Sequence, residues 1–405
     1  MEGRSKPVIN VSYSYNPLEE TLEYAPRQNA VFIGIPKETS FQENRIALTP
    51  SAVSVIVSNG HQVVIEHQAG EASSFSDQEY AEAGAMIVHS KDEVFKAGII
   101  LKTAPIGHDE LDLLKPNQIV FSPIHIPSLS KDQLQKCLEK KIIGIALGSI
   151  KDDAGYFPIV RSMSQIAGVY SIQMAAKYLN NNEQGKGILM GGIAGVPPAN
   201  VVIIGAGMVG EFAARTAIGC GAQVKVFDNS IYRLLRLQRT VGQTMYTSVI
   251  DPVLLAQALR EADVAIGALK PRKGIVPVVV SEQMVEQMRP GSVIIDVSID
   301  NGGCFETSSL TSHEDPVFLK HDVIHYCVPN MASGVSRTAS TAISNILMPL
   351  ILSCAETAGP ESMIQSKPGL LAATYMYKGK LSSKVLSKKF NIKYTDLELI
   401  LSTEL

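Results

Sequence analysis

The run Asn-Val-Val-Ile-Ile-Gly-Ala-Gly-Met-Val-Gly-Glu-Phe-Ala-Ala-Arg, residues 200–215, constrains this chain more than any other stretch. Val201 to Ile204 is an apolar run of the kind that forms a parallel strand covered on both faces. Gly205 permits a tight turn, Gly207 lets a diphosphate approach the backbone, and Gly210 lets the following helix pack against the strand. The first-turn N–H groups of that helix then face the phosphates, aided by the helix dipole. Glycines at this spacing also mark ordinary loops, so the following segment decides. Gln223 to Phe227 reads as the next strand and ends in Asp228. A carboxylate there accepts hydrogen bonds from an adenosine ribose diol and repels a 2′-phosphate. The expectation is a dinucleotide site that prefers NAD to NADP.

A chain of 405 residues is long enough for two or three domains with cores of their own. A net charge of −3 gives no reason to expect nucleic acid or a membrane as partner. The basic pair Lys388-Lys389 reads as a solvated surface. Five widely spaced cysteines with no Cys-x-x-Cys pair suit a reducing compartment. The polar N-terminus lacks the apolar core of a secretion signal, and the apolar stretch Ile346 to Ala355 contains Pro349 and is too short to span a bilayer. Cytoplasm is the expected location.

Residues 1–29 show no period and are expected to form an arm. From Ala30 strands and helices alternate: strands at Val31–Pro36, Gln62–Glu66, Gly84–Val88, Gly98–Thr103, Gln118–Ser122 and Lys141–Leu147, with helices between them. Such repetition predicts a parallel sheet with helices on both faces. Met163 to Leu179 reads as one long helix leading into the dinucleotide unit, whose later strands are Val264–Ala268, Ser292–Val297 and Val323–Cys327. A second long helix, Ala339–Cys354, crosses back. The predicted class is α/β: two Rossmann-like, doubly wound parallel-sheet domains joined by long helices, with a cleft between them. Residues 161–338 form the nucleotide domain; residues 30–160 and 339–405 form a discontinuous substrate domain.

Open α/β sheets bind ligands beyond the carboxyl ends of their strands, and four residues there could carry chemistry. Arg45 follows the first strand in a polar turn; it is either a solvated charge or a bidentate clamp for a carboxylate. Lys102, at the end of an apolar strand, either snorkels outward or donates to a substrate oxygen. His125 ends the strand that begins at Ile119; it is either structural or a proton shuttle. Asp300 opens Asp-Asn-Gly-Gly, which is either a plain turn or a carboxylate beside a nicotinamide.

Longer motifs join these residues. Gly34-Ile-Pro-Lys-Glu, Glu43-Asn-Arg-Ile-Ala-Leu-Thr-Pro, Met163-Ser-Gln-Ile-Ala-Gly, Met190-Gly-Gly-Ile-Ala-Gly-Val-Pro-Pro-Ala, Asp300-Asn-Gly-Gly-Cys-Phe-Glu and Tyr326-Cys-Val-Pro-Asn-Met together resemble the alanine dehydrogenases, relatives of the NAD-binding transhydrogenase subunit. The resemblance implies NAD-dependent, reversible oxidation of L-alanine to pyruvate and ammonium, in a homo-oligomer that is a hexamer. It implies that Arg45 binds the substrate carboxylate, that His125 is the acid/base and that Asp300 lies beside the reacting carbon. Ser164, Asp228, Arg233, Asn330 and Met331 match positions lining the NAD site. The Asp300 segment favours the dehydrogenase branch.

One departure concerns the substrate carbonyl. The family pattern Leu-Lys-x-Lys-Glu-Pro reads Leu-Lys-Thr-Ala-Pro here, so Ala104 stands where the carbonyl-contacting lysine is expected. Side chains alternate along a strand, which would place Lys102 on the same face as position 104 and about 7 Å back. Lys102 is therefore a candidate replacement; alternatively a one-residue gap restores a lysine at that position and leaves nothing at the first. Gly148 stands where the family carries a glutamate. Another small amino or 2-oxo acid as substrate, or a catalytically weak NAD-binding protein, is the rival reading.

Overall fold

The computed structural model describes residues 30–126, 128–270, 274–357 and 360–403. The arm expected at residues 1–29 lies outside them. Strands β1 (Phe32–Ile35), β2 (Gln62–Glu66), β3 (Met86–Val88), β4 (Ile99–Leu101), β5 (Ile119–Ser122) and β6 (Ile143–Ala146) are followed by β7 (Asn200–Ile204), β8 (Gln223–Phe227), β9 (Tyr246–Ser248), β10 (Val264–Gly267), β11 (Val293–Asp296), β12 (Val317–Lys320) and β13 (Val323–Tyr326), then by β14 (Thr374–Tyr377) and β15 (Lys380–Leu381). One sheet has the order β15-β14-β6-β5-β4-β1-β2-β3, the other β12-β13-β11-β10-β7-β8-β9. Pairing is parallel throughout except at β14, β15 and β12, which lie at the sheet margins. The fold is thus α/β with two parallel-dominated sheets.

The central strands are fully buried because helices cover both faces, and their sequences are accordingly near-continuous apolar runs such as Ile-Ile-Leu in β4 and Val-Val-Ile-Ile in β7. The helix layer lies close: a Cβ on Gly34 of β1 would meet the Val94 carbonyl at 2.5 Å. Helix Pro50–Ser58 starts where Thr49 accepts from the Ala52 N–H and Pro50 takes the first turn.

Two 21-residue helices run between the sheets. Helix Pro158–Tyr178 begins at Pro158, five residues before the expected Met163. It packs on helix Met208–Gly219, where a Cβ at Gly168 would meet the Val209 carbonyl at 2.4 Å. Helix Ser336–Glu356 packs on the first sheet's side, and its Ser340 and Ser344, one turn apart, accept from the N–H groups of Ile46 and Thr49. One apolar core joins Ile33, Ile145 and Tyr377 to Ile343 of that helix; another joins Val201, Ile266 and Ala213 to Leu179. Among the described residues, no helix is long and apolar enough to cross a membrane.

Strand order reverses beside β1 in the first sheet and beside β7 in the second, because β4 and β10 each add on the side opposite to the preceding strands. Crevices open at the carboxyl ends of such strands. The loops after β1 and β4, and those after β7 and β10, therefore face the common cleft.

Candidate active site

A cavity of about 1050 Å³ is lined from both sheets: Arg45, Thr103, Pro123 and Gly148 follow strands of the first, and Gly207, Asp228, Ala268, Ser298 and Asp300 follow strands of the second. Helix Pro158–Tyr178 contributes Met163 and Ser164, and the segment after β13 contributes Asn330 and Met331. Ser164, Asp228, Arg233, Asn330 and Met331 thus share one cavity.

The glycine turn has a separate physical reason at each position. Gly205 has φ +115, and a Cβ there would meet the Ala268 carbonyl at 2.3 Å. Gly210 packs its Cα on the strand end, where a Cβ would meet the Gly205 carbonyl at 1.8 Å. Gly207 is different: a Cβ there meets no heavy atom within 4 Å, and its backbone lines the cavity. No protein neighbour demands a bare backbone at Gly207, whereas a diphosphate lying across the helix start would. The chain's own geometry fits a dinucleotide.

Asp228 is buried at the end of β8. Its Oδ2 accepts from the Ala206 N–H and its Oδ1 from the Ser230 N–H, both at 2.7 Å, and an Arg233 guanidinium nitrogen stands 3.6 Å from Oδ2. The carboxylate therefore braces the glycine turn.

On the opposite wall Arg45 is 13% exposed and held by Glu43, which accepts from its Nε at 2.7 Å and from a terminal nitrogen. Glu43 also accepts from Asn330 Nδ2 at 3.2 Å. Asn330 sits in the left-handed region (φ 52), and its backbone N–H donates to Asp300 at 2.9 Å. One polar chain thus links Arg45, Glu43, Asn330 and Asp300 across the cleft. Asp300 reaches solvent through the cleft, but the protein around it deprives its carboxylate of water and raises its pKa, against the Asn330 N–H and the charges of Arg45 and His125. Buried Asp296 braces the loop behind Asp300 by accepting from the N–H groups of Ser298 and Cys304 and from Ser308 Oγ.

His125 lies three residues past the end of its strand rather than at it. β5 stops at Ser122 because Pro123 has no N–H for the ladder. The ring is exposed, with Nδ1 2.8 Å from Ser128 Oγ.

Lys102 departs from expectation. It is 1% exposed, and its ammonium donates to Glu38 at 2.7 Å and to Glu110 at 2.9 Å, away from the cavity lining. β4 ends at Leu101, so strand alternation does not carry Lys102 to the face of Ala104. Its ammonium has two buried carboxylates for partners, an arrangement that favours a structural ion pair over the expected substrate donor. Glu38 ties this region together: its Oε1 accepts from the N–H groups of Thr103 and Ala104, while Thr103 Oγ1 donates to the Arg45 carbonyl at 3.0 Å. Sequence reading missed Glu38, Glu43, Thr103 and the Glu211–Arg236 pair. Only Glu43, two residues from Arg45, left a local signal.

Comparison with known proteins places these features in a family. The family models "Alanine dehydrogenase/PNT, N-terminal domain" and "Alanine dehydrogenase/PNT, C-terminal domain" match residues 34–167 and 171–384. The alanine dehydrogenase of Methanococcus maripaludis is 40% identical over 375 residues, covering 92% of this chain and all of the relative. That of Staphylococcus saprophyticus is 36% identical over 369 residues, covering 91% of this chain and 99% of the relative. A solved L-alanine dehydrogenase superposes with a TM-score of 0.83 at 35% identity, covering 89% of this chain and 99% of that one. A transhydrogenase from Sinorhizobium meliloti shares the fold, with a TM-score of 0.74 at 22% identity and coverage of 87% and 99%. The chain is therefore a member of the alanine dehydrogenase/PNT family.

Proposed function

We propose that this protein is an NAD(H)-dependent L-alanine dehydrogenase, converting alanine, NAD⁺ and water reversibly to pyruvate, ammonium, NADH and a proton. The carrying observation is the bare backbone of Gly207, facing a cleft whose other wall presents Arg45 and whose floor presents Asp300. In this reading residues 161–338 are the nucleotide domain, and residues 30–160 with 339–405 are the substrate domain, as the membership of the two sheets supports.

The diphosphate would lie on the N–H groups after Gly207, the adenosine ribose against Asp228, and the nicotinamide end towards Ser298, Asn330 and Met331. Bound NAD⁺ would supply the hydride acceptor. Arg45 spends part of its guanidinium on Glu43, and its remaining N–H groups are available to orient the substrate carboxylate. The Ser128 contact at Nδ1 of His125 leaves Nε2 to take and return the proton of the adding water. Asp300, fixed by the Asn330 N–H, would orient that water or the departing ammonia. With Lys102 committed to Glu38 and Glu110, Arg45 and His125 are the groups proposed to hold the substrate oxygens.

One observation bears on the rival reading of a somewhat larger substrate. Gly148 lines the cavity beside Leu147, Phe157 and Val160, and a Cβ there would meet only Val160, at 3.6 Å. The cavity is thus open in front of Gly148. NADH formation from L-alanine, L-serine, L-2-aminobutyrate and L-valine separates the readings. Alanine is expected to give the highest kcat/KM; 2-aminobutyrate ahead of it would assign the larger substrate, and no turnover with any would overturn the dehydrogenase reading.

A further inference from the structure

Three arginines from the second sheet's side line the cavity: Arg215, Arg233 and Arg236. A cluster of this kind would ordinarily welcome a 2′-phosphate, since arginine forks match phosphate oxygens. Here two of the three already face carboxylates. Arg233 stands 3.6 Å from Asp228. An Arg236 terminal nitrogen lies 3.0 Å from Glu211 Oε2 as an ion pair and donates to the Ala206 carbonyl at 3.3 Å. Ala206 in turn gives its N–H to Asp228. Asp228, the Ala206 peptide, Arg236 and Glu211 therefore form one connected frame around the glycine turn.

Glu211 is the unexpected member. It lies in the first turn of helix Met208–Gly219, directly after the third glycine, with its side chain 10% exposed. Its position lines the cavity together with Arg236, whose side chain is 38% exposed. Its ion-pair partner is Arg236. The ion pair adds a second carboxylate to the frame that holds Asp228, and it occupies part of the Arg236 guanidinium.

We infer that Glu211 is a second specificity-determining residue for the cofactor, excluding NADP by holding Arg236 out of reach of a 2′-phosphate. The inference rests on the NAD reading above and deepens it. Discrimination is then shared: Asp228 recognises the ribose diol, and the Glu211–Arg236 pair withholds the phosphate ligand. Loss of Asp228 alone leaves much of the preference in place.

The test is isothermal titration of NAD⁺ and NADP⁺ into the full chain and its variants, read as the ratio of the two dissociation constants. In Glu211→Gln the released guanidinium should narrow the ratio by about tenfold, the size of one charge-assisted contact. Glu211→Gln combined with Arg236→Ala should return the ratio towards that of the wild type, because the gain requires the arginine. An unchanged ratio in Glu211→Gln, or a gain that survives loss of Arg236, overturns the proposal. Arg236→Ala alone is the second arm, should the buried substitution not fold. It leaves Glu211 unpaired and should widen the preference for NAD⁺; a narrower preference overturns the proposal. A wild-type protein that binds NADP⁺ as well as NAD⁺ would instead refute the underlying NAD reading, and the wild-type titration alone shows this.

Discussion

Lys102→Met removes a buried ammonium while keeping most of its apolar stem, and its outcome is calculable from the surroundings. Lys102, Glu38 and Glu110 are 1%, 7% and 2% exposed at the side chain. Removing one partner of a buried pair costs about 3–5 kcal/mol, because the remaining charge is left without compensation. Two features place this case at the lower end. Lys91 stands 3.5 Å from Glu110 and continues to neutralise it, and Glu38 keeps the N–H groups of Thr103 and Ala104. A loss of about 3 kcal/mol lowers the folded-to-unfolded ratio by about a hundredfold. Urea unfolding of the full chain should show it as a lower midpoint with an unchanged slope.

The pH dependence carries a sign of its own. Burial is the largest influence on Glu38 and raises its carboxyl above the ordinary range, while Lys102 pulls it down. Without Lys102 the folded-state value rises further, and the folded form takes up a proton in a range where the unfolded chain does not. Relative stability then increases as pH falls through that raised value and decreases above it. The defect should therefore be larger at pH 8 than at pH 5.5. Lys102→Met combined with Glu38→Gln should be less destabilised than Lys102→Met alone at pH 8. The reasoning is refuted if Lys102→Met unfolds at the wild-type midpoint while its KM for pyruvate rises, because Lys102 would then be a substrate ligand after all.

His125→Ala should lower kcat by a factor on the order of 10²–10⁴ while fluorescence titration finds NADH affinity little changed. Gly207→Val, at φ −74 with open space in front, should fold with the wild-type midpoint yet weaken NADH binding by about a hundredfold or more, which titration reads directly. Arg45→Met should raise KM for pyruvate far more than it alters NADH affinity, by about 10–100-fold for a lost bidentate contact; steady-state kinetics checks the split. The raised pKa of Asp300 puts an acid limb in the pH profile of kcat/KM above the ordinary carboxylate range, and Asp300→Asn should remove that limb along with most of the activity.

The parts of this protein legible in its sequence are those written locally. Buried central strands announce themselves because both faces are covered, and β2 has the expected bounds, Gln62–Glu66. The glycine turn is local too, and each glycine answers to a neighbour or to open cleft. Edge elements were less visible. β14 and β15 form a short hairpin whose turn uses positive φ at Lys378 and Gly379, a weak signal at four and two residues of strand. The ion pairing of Lys102 was not legible for a different reason: one of its partners, Glu38, lies 64 residues away and meets it because β1 and β4 are neighbours. Glu211 was hidden likewise. In sequence it is an ordinary polar helix position, and only the fold brings it to the cavity beside Arg236.

The central claim is that this cleft moves a hydride between the α-carbon of alanine and a nicotinamide. The direct measurement is mass spectrometry of the reduced cofactor after incubation of the protein with NAD⁺ and L-alanine deuterated at the α-carbon. One deuterium should appear in the NADH formed, in step with pyruvate, and both should fall together in Arg45→Met. NADH without deuterium, or no reduced cofactor at saturating alanine, would contradict the account.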